Sequence, residues 1–211
     1  MIKEKIFLLL TLLLISVGWG CIDGVEVELW DECYNIIETT TLNLFESNLS
    51  GEIPEDIGEL VNLISLILPF NQLTGGIPQS ISNLEILEIL DIRSNQLSGD
   101  IPDFIGDMIN LHHIFLQDHS LEGIPQNIGN LENLIELDLH NNNLTGNIPY
   151  SIGELGHISL LYLNNNNITS EIPESIGDLT ELGELILPGH QLSGDIPESI
   201  GNLTNLIYLG L

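Results

Sequence analysis

The chain has 211 residues, with 31 acidic side chains against 3 basic ones and a formal net charge of −28. Nucleic acid and anionic membrane surfaces are bound through Lys and Arg, so this composition excludes both as partners, while a cationic partner would be attracted. Solvent-facing acids also keep an exported protein soluble, and no D-x-D-x-D-G run with calcium-loop spacing is present.

The first element is MIKEKIFLLLTLLLISVGWG, in which Lys3 and Lys5 precede an apolar run from Ile6 to Ile15, and Gly18 and Gly20 precede Cys21. Residues 1–20 have the layout of a secretory signal peptide. The apolar run is shorter than the roughly 20 residues a membrane-spanning helix requires. The mature protein is therefore expected to be secreted or held on the extracellular face of the cell surface. Removing Lys3, Glu4 and Lys5 leaves 30 acids against Arg93 alone.

Cys21 and Cys33 are the only cysteines. Two readings of them stand at this point. An even cysteine count in an exported chain points to a disulfide between them. Alternatively, Cys21 directly follows the cleavage site and carries a lipid, leaving Cys33 unpaired; Gly18 and the bulky Trp19 just before it argue against that. A lipid on Cys21 or an uncleaved N-terminal anchor would be the protein's route to a membrane.

From residue 39 onwards the chain repeats. Ile-Pro recurs with prolines at Pro54, Pro78, Pro102, Pro125, Pro149, Pro173 and Pro197, at steps of 24, 24, 23, 24, 24 and 24 residues. A fixed period in this range marks a supersecondary unit that buries its apolar face only against copies of itself. The unit reads L-x-x-L-x-L-x-x-N-x-L-[ST]-G-x-I-P-x-x-I-G-x-L-x-x, clearest from Leu63 to Ile86. Pairs such as Leu66 and Leu68, Leu90 and Ile92, and Leu161 and Leu163 alternate with variable residues, which predicts short strands with one buried face in a single parallel sheet. Asn71, Asn95, Asn142 and Asn166 share one repeat position, where a buried amide can satisfy the backbone of its own turn and of the next coil. Each Pro is expected to occupy the first position of a short helical or 3₁₀ turn, with an acid after it at Glu55, Asp103, Glu174 and Glu198.

This unit resembles the plant-type, 24-residue leucine-rich repeat of receptor-like kinase ectodomains and polygalacturonase-inhibitor-like proteins, over roughly Thr39 to Leu211. The resemblance implies an α/β solenoid, a right-handed superhelix with a parallel β-sheet on the concave face and 3₁₀ or helical turns on the convex face. It implies an N-terminal cap over residues 21–38, ahead of repeats spanning 39–211 as seven full units and a truncated eighth. The segment Trp30-Asp-Glu-Cys33 looks like the cap of that class, in which Trp and Cys cover the first coil. A Cys21–Cys33 bond there would contribute about 3 kcal/mol in the chain-entropy model.

The outward positions of the predicted strands define the informative surface. Asn43, Ile67, Asp91, Phe115, Asp138, Tyr162 and Ile186 run down its centre. One flank carries Ser65, Ile89, His113, Glu136, Leu160 and Glu184, and the other carries Phe45, Pro69, Arg93, Gln117, His140 and Asn164. Packing does not constrain these positions, so Phe115, Tyr162 and His113, rimmed by Asp91, Arg93, Glu136, Asp138 and His140, have the composition of a recognition site.

The fourth repeat lacks one residue and places His119 where others have the ladder Asn, a replacement His190 repeats in the seventh. An imidazole can partly stand in for the amide. His112, His113 and His140 with Asp138 or Glu136 would be chemically suitable zinc ligands, but their spacing matches no zinc motif such as H-E-x-x-H. With no nucleophile motif, phosphate-binding loop or kinase signature, no enzymatic activity, cofactor or metal is expected. Four N-x-[ST] sequons, at Asn48, Asn143, Asn167 and Asn202, arise largely from the repeat consensus.

The expected function is an extracellular module that binds a protein, peptide or glycan on its concave face. The alternative is a structural or adhesive surface element, a fragment of a longer surface protein. Leu206, Leu209 and Leu211 are expected to complete the core of the last coil with nothing polar to cover them, so self-association through that end is also expected.

Overall fold

The computed structural model describes residues 20–189 and 191–211. The expected signal peptide, apart from Gly20, and the substitution at His190 lie outside them. Eight three-residue strands, Thr41–Asn43, Ser65–Ile67, Ile89–Asp91, His113–Phe115, Glu136–Asp138, Leu160–Tyr162, Glu184–Ile186 and Tyr208–Gly210, form one sheet in strict chain order. All pairings in it are parallel and advance by one repeat, as in Leu66 opposite Leu90 and Leu90 opposite Ile114. Each coil closes around its own apolar residues. In the second, Leu63, Leu66, Leu68, Leu73 and Ile81 are inaccessible to solvent. Full burial of such a side chain contributes about 1.5–3 kcal/mol, which is what a strand of three residues needs to hold its place.

The convex side carries 3₁₀ turns rather than α-helices among the described residues, at Glu55–Glu59, Gln79–Asn83, Asp103–Asp107, Ile128–Asn130, Tyr150–Glu154, Glu174–Asp178 and Glu198–Asn202. Outside the shortened fourth coil, the prolines sit one residue earlier than the sequence suggests. Pro54 has φ −62° and ψ 139°, an extended conformation, and precedes its turn. Its carbonyl accepts the Ile57 N–H at 3.0 Å, so the proline starts the turn with its acceptor and loses nothing by lacking a donor.

A second parallel sheet, absent from the sequence reading, lies just beyond the ladder asparagines. It comprises Ser50–Glu52, Gln72–Gly75, Gln96–Gly99 and Ser120–Leu121. The sheet ends at the coil that lacks a residue. Gly75 and Gly99, with φ of +77° and +84°, turn the chain out of this sheet, whereas Gly123 in the short coil does not take a positive φ.

At the N-terminus Glu26–Leu29 and Glu32–Asn35 form an antiparallel hairpin. Cys21 and Cys33 are joined by a disulfide, and no described cysteine is free. Val27 and Leu29 are buried against the first coil, and Trp30 and Tyr34 pack on the same core. At the other end, Leu206 is half-buried, and Leu209 and Leu211 are 40% and 46% exposed rather than enclosed.

Candidate functional site

The chemistry-bearing residues of the concave face come from four adjacent strands. Strand register places Asp91 opposite Phe115, Phe115 opposite Asp138 and Asp138 opposite Tyr162, while His113 faces Glu136. Arg93 and His140 continue two of these strands on the same face, because alternate residues share a face and the intervening Ile92 and Leu139 are buried. The structure thus brings Phe115, Tyr162, His113, Asp91, Arg93, Glu136, Asp138 and His140 into one patch.

Asp91 and Asp138 were expected to face solvent, yet each is only 6% exposed. A short side chain in the centre of a concave sheet is overtopped by longer neighbours on both flanks and in the next coils. Each makes an Asx-type contact with the backbone two residues on: Arg93 N–H reaches Asp91 Oδ1 at 3.4 Å, and His140 N–H donates to Asp138 Oδ1 at 3.2 Å. Side chains differ above them. The Arg93 guanidinium lies 3.4 Å from Asp91 Oδ2 and over the Phe115 ring, 5.4 Å from its centroid. His140 Nδ1 bonds back to Asp138 Oδ1 at 2.6 Å.

His113 stacks on Phe115, ring centroids 6.0 Å apart, and its Nδ1 is 3.6 Å from Glu136 Oε2, beyond hydrogen-bond reach. The Tyr162 hydroxyl donates to Glu184 Oε2 at 2.8 Å. Burial raises the pKa values of Asp91, Glu136 and Asp138, opposed by Arg93, His113 and His140 respectively. Burial also raises that of Tyr162, helped by its bond to Glu184. The site is therefore a set of under-solvated carboxylates among the rings of Phe115, Tyr162, His113 and His140 in a strongly acidic protein. Such a surface favours an arriving cation.

Two further residues of the flank columns, outside the patch expected from the sequence, bear on it. Glu184 fixes the Tyr162 ring, and Gln117, 6% exposed, has an Oε1 that receives no hydrogen bond among the described residues. A third feature lies outside the columns. Phe70, half exposed at φ +58°, packs edge-to-face on Phe45 with centroids 5.4 Å apart. Its signal was a Phe at the turn position that Ser94, Asp118, Asn141 and Asn165 fill elsewhere.

Beneath the patch, the asparagine ladder holds the coils in register. Asn142 Nδ2 donates to Leu116 and Leu139 carbonyls at 2.8 and 3.1 Å, and its Oδ1 accepts the Leu121 N–H at 3.1 Å. Asn71, Asn95 and Asn166 repeat the pattern. In the fourth coil His119 does the same work with two ring nitrogens.

A one-dimensional stack of coils that holds a variable parallel sheet over a repeated core and amide ladder is a solenoid. Residues 99–211 match the sequence profile of a leucine-rich repeat region, and residues 62–84 and 87–108 match single leucine-rich repeats. The chain belongs to the leucine-rich repeat family. No curated protein sequence matches it. Among solved structures it is similar to a plant peptide-hormone receptor in complex with its peptide, at 39% identity and TM-score 0.73, over 75% of this chain and 26% of that one. It is also similar to the Arabidopsis receptor kinase HAESA, solved with the peptide hormone IDA and a co-receptor, at 36% identity and TM-score 0.77, over 81% and 29%. A plant ice-binding protein is similar at 27% identity and TM-score 0.65, over 93% and 69%. The chain thus spans less than a third of the length of the two receptor structures.

Proposed function

We propose that this protein is an extracellular, non-enzymatic binding module that takes a peptide or protein segment across its concave face. The observation that carries the reading is the single patch built by Asp91, Arg93, Phe115, Asp138 and Tyr162 on neighbouring strands, where packing of the repeat requires none of these residue types. Two receptors to which the chain is similar were solved in complex with their peptides, which supports a peptide ligand. The Cys21–Cys33 disulfide supports export to an oxidising compartment, and among the described residues no helix is long and apolar enough to cross a membrane. A random peptide library panned on the disulfide-bonded chain tests the reading. Enriched peptides are expected to lose binding to the Phe115→Ala, Tyr162→Ala double variant while its Tm stays near that of the parent. Peptides that bind both equally overturn it.

A second reading, ice binding, is favoured by a different observation. Ser94, Asp118, Asn141 and Asn165 form an exposed hydrogen-bonded row, with Ser94 Oγ donating to Asp118 at 3.0 Å, Asn141 to Asp118 at 2.7 Å and Asn165 to Asn141 at 2.7 Å. The row repeats at the coil spacing of about 4.8 Å, and the similar ice-binding protein shares most of its length with this chain. Thermal hysteresis or inhibition of ice recrystallisation that disappears on substituting Asn141 and Asn165 would favour it; absence of both effects removes it.

A further inference from the structure

The concave patch contains the same frame twice. In the first, Asp91 is followed two residues later by Arg93, and the aromatic ring of the next coil is Phe115. In the second, Asp138 is followed by His140, and the ring of the next coil is Tyr162. Both aspartates are 6% exposed and both have Oδ1 turned to the backbone N–H two residues on.

The frames differ in what fills them. In the first, the only basic side chain downstream of residue 20 lies over the ring and beside Asp91 Oδ2. In the second, His140 is too short to do this and folds onto Asp138 Oδ1 instead. Asp138 Oδ2 then receives no hydrogen bond among the described residues. In front of it is an open dent of about 270 Å³ lined by Asp138, His140, Tyr162, Asn164 and Ile186. Tyr162 is held by its bond to Glu184, which also adds a carboxylate at the edge of the ring. Between the frames Gln117 supplies a buried acceptor, Oε1, that is likewise unpaired. A carboxylate oxygen that no protein group donates to, open to the dent beside an aromatic ring, suits a guanidinium or ammonium; Arg93 shows the protein accommodating that group one frame away.

We propose that the Asp138–Tyr162 frame is the seat of an arginine side chain presented by the peptide or protein that the concave face binds. This assignment rests on the concave-face reading above and adds the chemistry of the ligand. The arginine stacks on Tyr162 and donates to Asp138 Oδ2, and the overall negative charge of the protein steers it there.

The probe is N-acetyl-arginine amide, titrated into the isotopically labelled, disulfide-bonded chain by NMR, with N-acetyl-citrulline amide as the uncharged isostere. Saturable shifts centred on Asp138, Tyr162 and Asn164 are expected with the arginine amide and none with citrulline. Tyr162→Leu keeps apolar volume but removes the ring and hydroxyl, and Asp138→Asn removes the charge. Each is expected to weaken the arginine amide at least tenfold. Asn164→Trp at the rim of the dent fills the seat from the other side and should act alike if either variant fails to fold. Equal shifts with citrulline, or shifts spread over the acidic surface and unchanged in the variants, overturn the proposal. A library peptide that needs the concave face but tolerates citrulline for each of its arginines overturns the seat and leaves the concave-face reading standing. An arginine amide that binds at Tyr162, with no library peptide recovered, supports the seat and counts against that reading.

Discussion

The imidazole of His119 bridges two coils by donating to the carbonyl of Ile92, 27 residues earlier, at 2.9 Å, while Nδ1 accepts the Leu97 N–H at 3.3 Å. Since a backbone N–H can only donate, Nδ1 is the acceptor and the proton resides on Nε2. The ring is buried, and burial lowers its pKa from 6.5 to about 4, against smaller opposing contributions from the Ile92 and Asn95 backbone and the Asp118 charge.

A pH dependence with a definite sign results. The folded pKa lies below the unfolded one, so the stabilisation is fully present above about pH 6.5 and is lost as pH falls towards about 4. Asp91, Glu136 and Asp138, whose pKa values are raised by burial, act in the opposite direction over the lower part of that window. Comparison with His119→Asn, which restores the ladder amide, isolates the histidine. Urea unfolding at pH 7 and pH 4.5 should show the parent losing about 2 kcal/mol more than the variant. Equal losses would show that His119 is not buried neutral.

Two adjacent asparagines should differ in what their loss costs. Asn142 satisfies the Leu116 and Leu139 carbonyls and the Leu121 N–H, all inside the solenoid. Asn142→Ala leaves these buried groups unpaired and is expected to cost about 3 kcal/mol or more, since each orphaned group costs about 1–3 kcal/mol. The Asn141 side chain bonds only the exposed Asp118 and Asn165, so Asn141→Ala orphans no buried group and should cost about 1–2 kcal/mol, chiefly the strain of an alanine at φ +53°. Chemical denaturation of both decides it.

Phe70 sits at φ +58°, a left-handed conformation that Asn and Gly visit routinely and a Phe does not. The strain is about 1–2 kcal/mol, and the half-exposed edge contact with Phe45 returns only part of it. Phe70→Asn should therefore stabilise the protein by about 0.5 kcal/mol. A loss of stability would mean that the aromatic pair outweighs the backbone.

Removing the disulfide should act locally. Cys21 and Cys33 close a loop of sequence separation 12, worth about 3 kcal/mol. In a stack whose coils touch only their neighbours, that loss is expected at the cap and first coil. Hydrogen exchange in Cys21→Ser, Cys33→Ser should accelerate over residues 26–43 and stay near parent values from the third coil onwards. Uniform acceleration would show that the cap governs the whole solenoid. Intact mass of the parent, two units lower before reduction than after, checks the bond itself.

The repeat, its strands, the buried Leu and Ile positions and the ladder were legible in the sequence because each depends on contacts one period apart. A coil presents the same environment to each of its copies, so a residue type recurring every 24 positions reports that environment directly. Leu66, Leu90 and Ile114 declare a buried column in this way, and Asn71, Asn95 and Asn142 declare a buried amide. The outward columns were equally legible as positions, since strand alternation leaves only one choice of face.

What those outward residues do to one another does not repeat, and only the tertiary structure decided it. No period indicates that Arg93 covers Phe115, that His140 turns back onto Asp138, or that two aspartates of an exposed column are sunk beneath their neighbours. The second sheet escaped for a related reason: its strands, such as Gln72–Gly75, are held by main-chain pairing between coils and carry no alternating side-chain pattern of their own. Core packing is written in the sequence because the hydrophobic effect acts on every coil alike. The chemistry of the concave face comes from single residues meeting across coils, at distances set by how the solenoid brings its strands together.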